Sequence, residues 1–243
     1  MMCALISDVH GNRWALEAVL DDIAKRGVRT IYNLGDSVYG PLQPHEAVNL
    51  LRSHCSTHIL GNQDRILGEP RRQPFSATLE YCLDRLSDGD LLWIGESHKA
   101  FVQVDSMLLV HGTPRSDSVY LLEEISHGLT ALRSESSLVA ELERISSRIV
   151  LCGHSHTQRF VRIGDRTVIN PGSVGLQAFT DEIPFPHGIE NGSPDARYAI
   201  LDIEHGAVHV QNMTVPYDFR EAVAYARRNG RDDWAHWLEY GRA

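Results

Sequence analysis

The first apolar run of the chain, Ala4-Leu5-Ile6-Ser7, is unbroken rather than alternating and stops at Asp8. A short continuous run of this kind predicts a buried strand. From Trp14 to Ile23 the apolar positions recur at helical spacing, and the helix ends near Gly27. Thr30 to Leu34 predicts a second strand, Glu46 to Leu51 a short helix, and Thr57 to Leu60 a third strand. Strand and helix alternate here, which predicts a parallel α/β layer.

The pattern then changes. Gln73 to Arg85 predicts a helix. Phe101–Val104 and Met107–Val110 are two strands around a tight turn at Asp105-Ser106. Ser137 to Ile145 predicts a further helix and Arg148 to Cys152 a further strand. Phe160–Ile163 and Thr167–Ile169 flank Gly164-Asp165, and Tyr198–Ile203 and Ala207–Val215 flank His205-Gly206; both pairs carry hairpin signals. The second half is therefore mixed or antiparallel, and two packed sheets with helices outside accommodate both halves. Thr180 to Asp195, rich in Pro, Gly and acidic residues, reads as a long loop that borders a pocket. No internal repeat or low-complexity tract is visible.

With 243 residues and a hydrophobic fraction of 42%, the chain has the size and composition of a single soluble domain spanning 1–243. No apolar run approaches the ~20 residues a membrane helix needs. Cys3-Ala4-Leu5-Ile6 lacks a basic flank, so no secretory signal is read and a cytoplasmic location is the expectation. Cys3, Cys55, Cys82 and Cys152 show no C-x-x-C spacing and read as buried free thiols. A net charge of −9 disfavours nucleic acid as a partner but admits anionic substrates where bound cations reverse the local sign.

Five short motifs follow five of the apolar runs in order: Asp8-Val9-His10, Gly35-Asp36, Gly61-Asn62-Gln63-Asp64, His111-Gly112 and Gly153-His154-Ser155-His156. Open α/β sheets place ligands at strand ends, so carboxylates, imidazoles and one amide can converge at a single edge. Imidazole mixed with carboxylate suits Zn, Fe or Mn, whereas all-oxygen sets suit Mg or Ca. A carboxylate can bridge two such cations, and the pair can polarise phosphoryl oxygens and acidify a water.

This ordered set resembles the signature of the calcineurin-like metallophosphoesterases. Asp8-Val9-His10-Gly11-Asn12 together with Asn170-Pro171-Gly172-Ser173 resembles the small bacterial and archaeal phosphodiesterase branch. The resemblance implies an α/β fold, a four-layer sandwich of two mixed β-sheets flanked by helices. It implies hydrolysis of phosphomonoesters or phosphodiesters through a metal-bridging hydroxide. Asp8, His10, Asp36 and His156 would form one metal site; Asp36, Asn62, His111 and His154 would form the other, with Asp36 shared. The cofactors would be two divalent transition metals, manganese foremost, with Fe, Zn, Ni or Co also suited. Asn12 and Ser173 would help hold phosphate, and Arg115 lies close enough in sequence to His111 to reach it.

One position departs from the family pattern. A histidine usually follows Gly-Asn, with an acid next; here Gln63 stands there, followed by Asp64. The family histidine assists leaving-group protonation. Gln63 can donate a hydrogen bond but carries no titrating proton near neutral pH. With Asp36 and Asn62, Gln63 and Asp64 complete the candidate catalytic set.

Plainer readings stand beside these. Asp8 and Asp36 alone read as turn residues at strand ends, and Asn62-Gln63-Asp64 as a plain turn. Asn12 reads equally well as the cap of the helix that begins near Trp14. Ser173 reads as a turn residue and Arg115 as a solvated one. His45, His54, His58, His98, His127, His187, His205, His209 and His236 lie outside the motifs and read as structural. Trp234, Trp237, Leu238 and Gly241 share a helical face that packs on the core or, alternatively, makes a homo-oligomer contact. The rival function class is a weakly active or inactive protein-binding scaffold on the same fold, the use made of it by the retromer subunit of this superfamily. Gln63 favours that rival and seven suitable ligands argue against it.

Overall fold

The computed structural model of the protein describes residues 1–69 and 76–243. The chain begins β1 (Met2–Ile6), α1 (Arg13–Lys25), β2 (Ile31–Asn33), α2 (Pro44–His54), β3 (Thr57–Ile59), α3 (Asn62–Gly68), α4 (Ala77–Arg85), α5 (Asp88–Ser97) and β4 (His98–Lys99). It continues with β5 (Phe101–Val104), β6 (Met107–Val110), β7 (Glu123–Ser126), β8 (Leu129–Leu132), α6 (Glu135–Glu141), β9 (Ile149–Leu151), β10 (Arg159–Ile163) and β11 (Arg166–Asn170). It closes with β12 (Ala178–Asp181), β13 (His187–Glu190), β14 (Ala196–Glu204), β15 (Ala207–Val215), α7 (Phe219–Arg228) and α8 (Asp232–Tyr240).

Two large mixed sheets result. One has the strand order β15-β14-β1-β2-β3-β4 and the other β10-β11-β9-β6-β5. In the first, β1 to β4 run parallel, and β14 joins antiparallel with Leu5 opposite Ala199. In the second, β6, β9 and β11 are parallel, with β5 and β10 antiparallel at the edges. This is the arrangement of two packed mixed sheets with helices outside that the sequence pattern predicts.

The period of two along each strand divides the core into layers. Cys3 and Leu5 of β1 face Met107 and Leu109 of β6 between the sheets, joined by Ile149, Leu151 and Ile169. The alternate residues Ala4 and Ile6 face outward, under Leu16, Val19 and Ile23 of α1 and Val48 and Leu51 of α2. On the far side, Leu108 and Val110 meet Leu138 at the start of the α6 cover. Each fully buried aliphatic side chain contributes roughly 1.5–3 kcal/mol relative to exposure, and both faces of β1 and β6 are committed this way.

Three expected two-residue turns are present: Val104 pairs with Met107, Ile163 with Arg166, and Glu204 with Ala207. The helix expected from Gln73 begins at Ala77 with Ser76 accepting from the Leu79 amide, while positions 73–75 lie outside the described residues. The helix expected from Ser137 starts earlier, at Glu135, because Ser134 caps it, and it ends at Glu141. The Thr180–Asp195 loop is corrected: β13 lies inside it and pairs back onto β12. α3, α5, α7 and the β7–β8 hairpin were not legible as elements. α5 is set by a capping box, Ser87 with Asp90, and α7 by Asp218, short signals that apolar periodicity does not register. All four cysteines are unpaired, and Cys3, Cys82 and Cys152 are buried. Among the described residues no helix is long and apolar enough to cross a membrane.

Candidate metal centre

The five motifs leave their strands at one end of the sandwich. Asp8 and His10 follow β1, Asp36 follows β2, Asn62 follows β3, His111 follows β6, and His154 and His156 follow β9. Backbone hydrogen bonds tie these loops together: Asp8 N–H to Gly35 O (2.9 Å), His10 N–H to Asp36 O (3.0 Å) and Gly153 N–H to His111 O (2.7 Å). The ties matter because five of the donors sit in left-handed backbone, with φ of 55° at Asp8, 52° at His10, 52° at Asp36, 68° at His154 and 53° at His156. Each such residue costs on the order of 1–2 kcal/mol, which surrounding hydrogen bonds must offset. Gly61 serves differently. Its φ of −77° is ordinary, but a Cβ there would lie 2.1 Å from Asp36 Oδ1. Glycine at that position is what lets the Asn62 loop close on Asp36.

The side chains converge in two groups, Asp8 with His10 and His156, and Asp36 with His111 and His154, each with its donor atoms within 4.8 Å of one another. His156 Nε2 lies 3.4 Å from Asp8 Oδ1, and His111 Nε2 lies 3.4 Å from Asp36 Oδ2 and 3.2 Å from Asn62 Oδ1. The groups adjoin, since His111 Nε2 is 4.0 Å from Asp8 Oδ1. The structure thus brings all seven expected donors together.

The ring orientations test whether a cation fits. His10 Nδ1 faces Tyr39 O at 2.9 Å, His111 Nδ1 faces Leu34 O at 2.8 Å, and His156 Nδ1 faces Leu176 O at 2.6 Å. A carbonyl only accepts, so in each ring Nδ1 carries the proton and a neutral ring turns its Nε2 lone pair inward. His10 Nε2 and His156 Nε2 then confront each other at 3.1 Å, two acceptors that a Lewis acid would satisfy. Asp8 Oδ1 is buried and has no hydrogen-bond partner among the described residues. The donor set fits divalent transition-metal ions.

The electrostatics agree. Burial, with His156 alongside, lowers the His10 pKa, and burial with the neighbouring His111 lowers that of His154 to about 4, so both favour the neutral, ligating form. Burial opposes charge on His111, yet the Asp36 and Asp8 carboxylates overcome it and lift its pKa to about 10. Asp8 and Asp36 are held below the ordinary carboxylate range despite burial, by His156 and His111 respectively. That lift reflects the negative field of the two carboxylates, the same field a cation would meet.

Four of the expected residues outside the metal-ligand groups do not line the cavity over the cluster. Asn12 is placed as its plainer reading had it: it is fully buried, its Oδ1 caps α1 by accepting from the Ala15 amide (3.2 Å), and its amide donates to Gly175 O and the Tyr217 hydroxyl. Ser173 is likewise buried, with its hydroxyl donating to Asp8 O (2.8 Å) and accepting from the Leu176 amide (2.9 Å). Asp64 does not reach the cavity; its carboxylate accepts from the Ser37 amide (2.9 and 3.1 Å) and the Gly61 amide (3.3 Å), and so positions the Asp36 and Asn62 loops. Burial and the Asp36 charge raise the Asp64 pKa to about 7. Arg115 is exposed and leans on Glu141. Gln63 is placed at the site: its side chain lines the cavity and its amide N–H holds Asp36 Oδ1 at 3.0 Å.

The cavity over the metal-ligand groups has a volume of about 350 Å³. Its remaining wall includes Tyr39, Phe179, Arg231, Trp234 and Trp237, none of which the motifs pointed to. Thr180 and Asp181 also line it, so the start of the Thr180–Asp195 segment does border the pocket. Trp234 and Leu238 are core residues, as the plainer reading of that face had it, whereas half-buried Trp237 opens onto the cavity. None of the nine histidines outside the motifs lines it. A larger groove of about 730 Å³ opens at the opposite end, among the hairpin turns, and contains no motif residue.

A sandwich of two mixed sheets with an Asp, His and Asn cluster at its strand ends defines a metallophosphoesterase scaffold. The sequence profile of the calcineurin-like phosphoesterase superfamily domain matches residues 1–205, and the chain belongs to that family. It is 24% identical over 262 residues to uncharacterized protein MJ0912 of Methanocaldococcus jannaschii, covering 96% of this chain and 95% of that protein. A metallophosphoesterase from Sphaerobacter thermophilus superposes with a TM-score of 0.78 at 25% identity, covering 99% of both chains. The hypothetical protein PH1004 from Pyrococcus horikoshii shares the fold, with a TM-score of 0.76 at 16% identity over 99% of this chain and 98% of that one.

Proposed function

We propose that residues 1–243 form one metallophosphoesterase domain that hydrolyses phosphomonoesters or phosphodiesters at a two-metal centre, with manganese the foremost candidate. The observation that carries this reading is the meeting of Asp8, His10 and His156 with Asp36, His111 and His154 beside one cavity. Ions bound there would supply Lewis acidity, neutralising charge on phosphoryl oxygens and acidifying water.

The chain's own residues do the positioning. Tyr39, Leu34 and Leu176 carbonyls fix the imidazoles of His10, His111 and His156 so that each Nε2 points inward. The Gln63 amide N–H orients Asp36, the carboxylate proposed to serve both ions. The Gln63 side chain can donate a hydrogen bond to a phosphoryl oxygen but supplies no proton to a leaving group. Four unpaired thiols suit a reducing, cytoplasmic setting.

The test is elemental analysis of protein purified without chelator, followed by a panel of phosphoesters with added Mn, Fe, Zn, Ni or Co. Close to two metals per chain and hydrolysis of at least one ester are expected. Fewer than one metal per chain after reconstitution, with every ester intact, would leave the scaffold reading standing instead.

A further inference from the structure

We infer that the preferred substrates carry a single flat aromatic or heteroaromatic ring on the alcohol side of the phosphoester, selected by Phe179 and Trp237. The inference rests on the phosphoesterase reading and adds a substrate class to it.

The cavity, about 350 Å³, is at the small end of the range for small-molecule sites. One side is the metal-ligand cluster. The other is aromatic and starts against the ligands themselves: the Phe179 ring lies 4.6 Å from the His156 ring at 57°. Trp234 meets His10 edge-on at 5.8 Å, and Trp237 follows at 6.2 Å from Trp234. Phe179 comes from β12 and the tryptophans from α8, so the packing of α8 against β12 builds the wall.

The two rings at its face differ from the one behind them. Trp234 is 4% exposed and serves the core, while Phe179 and Trp237 are only half-buried and line open space. A flat ring placed there would remove apolar surface from water on both partners and stack on π-faces.

The charges on this wall argue against a second phosphate. Arg231 is engaged already: its Nε and Nη2 donate to the two carboxylate oxygens of Asp233 at 2.9 and 2.6 Å, and its Nη1 donates to Thr78 Oγ1. Asp181 adds negative charge at the rim. The wall away from the metal-ligand groups is therefore built for an uncharged, planar group.

The experiment uses compounds with the same ester linkage that differ by a ring: AMP against ribose 5-phosphate, and benzyl phosphate against ethyl phosphate. kcat/KM is measured for all four with the metal-loaded protein and with Trp237→Leu and Phe179→Leu, whose folding is checked by thermal melting. The AMP and ribose 5-phosphate pair is also titrated calorimetrically into metal-stripped protein, where binding is read without turnover. A stacked ring should favour the ring-bearing member of at least one pair by roughly tenfold or more in the native chain. That ratio should fall toward one in either variant, and the calorimetric preference should fall with it. Preference within both pairs marks a general aryl site, and preference for AMP alone marks a nucleobase site. Turnover with ratios near one in the native protein, or ratios unchanged in both folded variants, overturns the inference while leaving the phosphoesterase reading intact. Ring-dependent binding without turnover of any ester would uphold the ring site and remove the phosphoesterase reading.

Discussion

At the end of the sandwich away from the metal centre, Asp105 and His205 adopt φ of 48° and 49° in two-residue turns. At the other end Asp8, His10, Asp36, His154 and His156 adopt φ between 52° and 68°. The backbone conformation is the same, but what sustains it differs. In the β14–β15 turn, His205 precedes Gly206 at an exposed tip, the local chemistry of a tight hairpin, and its side chain is 92% exposed. At the candidate metal centre local turns contribute as well: His10 precedes Gly11 (φ 69°) with Asn12 N–H donating to Val9 O at 2.9 Å, and Ser155 N–H donates to Gly153 O across His154 at 2.8 Å. Long-range bonds add to them, such as His10 N–H to Asp36 O, Val174 N–H to Ser7 O and Gly175 N–H to Asp8 O. Left-handed backbone is held by a local turn at one end and by local turns joined to tertiary bonds at the other, where its use is to aim carboxylates and imidazoles inward.

The sharpest way to break this comparison is one substitution made at both ends. Asn tolerates left-handed backbone better than most residues. His154→Asn should therefore keep the fold while removing an imidazole donor from the Asp36 group. Loss of that donor should lower kcat/KM about a hundredfold or more and cut bound metal from two ions toward one. Elemental analysis and steady-state kinetics check it, and full metal content with full activity would place His154 outside the ligand set.

Gln63 gives the next largest effect. A positioned general acid is worth about 10²–10⁴-fold, chiefly for leaving groups too basic to depart as anions. Gln63→His should raise kcat/KM for alkyl phosphates by about a hundredfold relative to activated aryl phosphates. An equal change for both classes would show that the proton comes from elsewhere in the native protein.

How much of this was legible in the sequence depends on where the determining contacts lie. The clustering of the candidate ligands was readable because each follows an apolar run directly, and β1, β2, β3, β6 and β9 follow the pattern of those runs. The surroundings of Asn12 and Ser173 were not legible in the same way. Both are polar residues at loop starts, and only the fold reveals that Gly175, Tyr217 and Asp8 consume their hydrogen bonds. The aromatic wall was invisible for the opposite reason: Trp234 and Trp237 lie on one helical stripe, and nothing local distinguishes the buried ring from the one that opens onto the cavity. The β12–β13 hairpin was hidden by the Pro- and acid-rich segment between its strands.

Histidines buried behind the centre sharpen the comparison further, because their rings are spent on packing. His58 stacks on His98 at 4.9 Å and 29° and meets Trp93 edge-on at 4.9 Å. Burial lowers the His58 pKa to about 4, and burial with the neighbouring His58 lowers that of His98 to about 3. Both stay neutral in the folded state while the unfolded chain takes up protons below about 6.5. Stability is therefore full above that pH and falls on acidification by up to about 1.4 kcal/mol per pH unit for each histidine, until the folded-state values are reached. His58→Phe keeps the stack and removes one titrating group. Between pH 6 and pH 4 its denaturation midpoint should fall less steeply than that of the native chain; parallel curves would mean that His58 is hydrated and titrates normally.

The smallest effect is expected from His205→Asn, the counterpart of the first substitution. His205 makes only a long, solvent-exposed contact of 3.8 Å with Glu204, so little is lost when the ring is removed. Asn followed by Gly206 is a favoured pair for a two-residue turn with φ positive at both positions, and the two residues have φ of 49° and 84° here. The gain should be about 0.5 kcal/mol, seen as a higher urea midpoint at unchanged slope, with kcat/KM and metal content unaltered. The same exchange in the same backbone region would then disable one end of the molecule and stabilise the other. A loss of activity in His205→Asn would mean that the hairpin end communicates with the centre along β14 and β1, and the two ends could no longer be treated as independent.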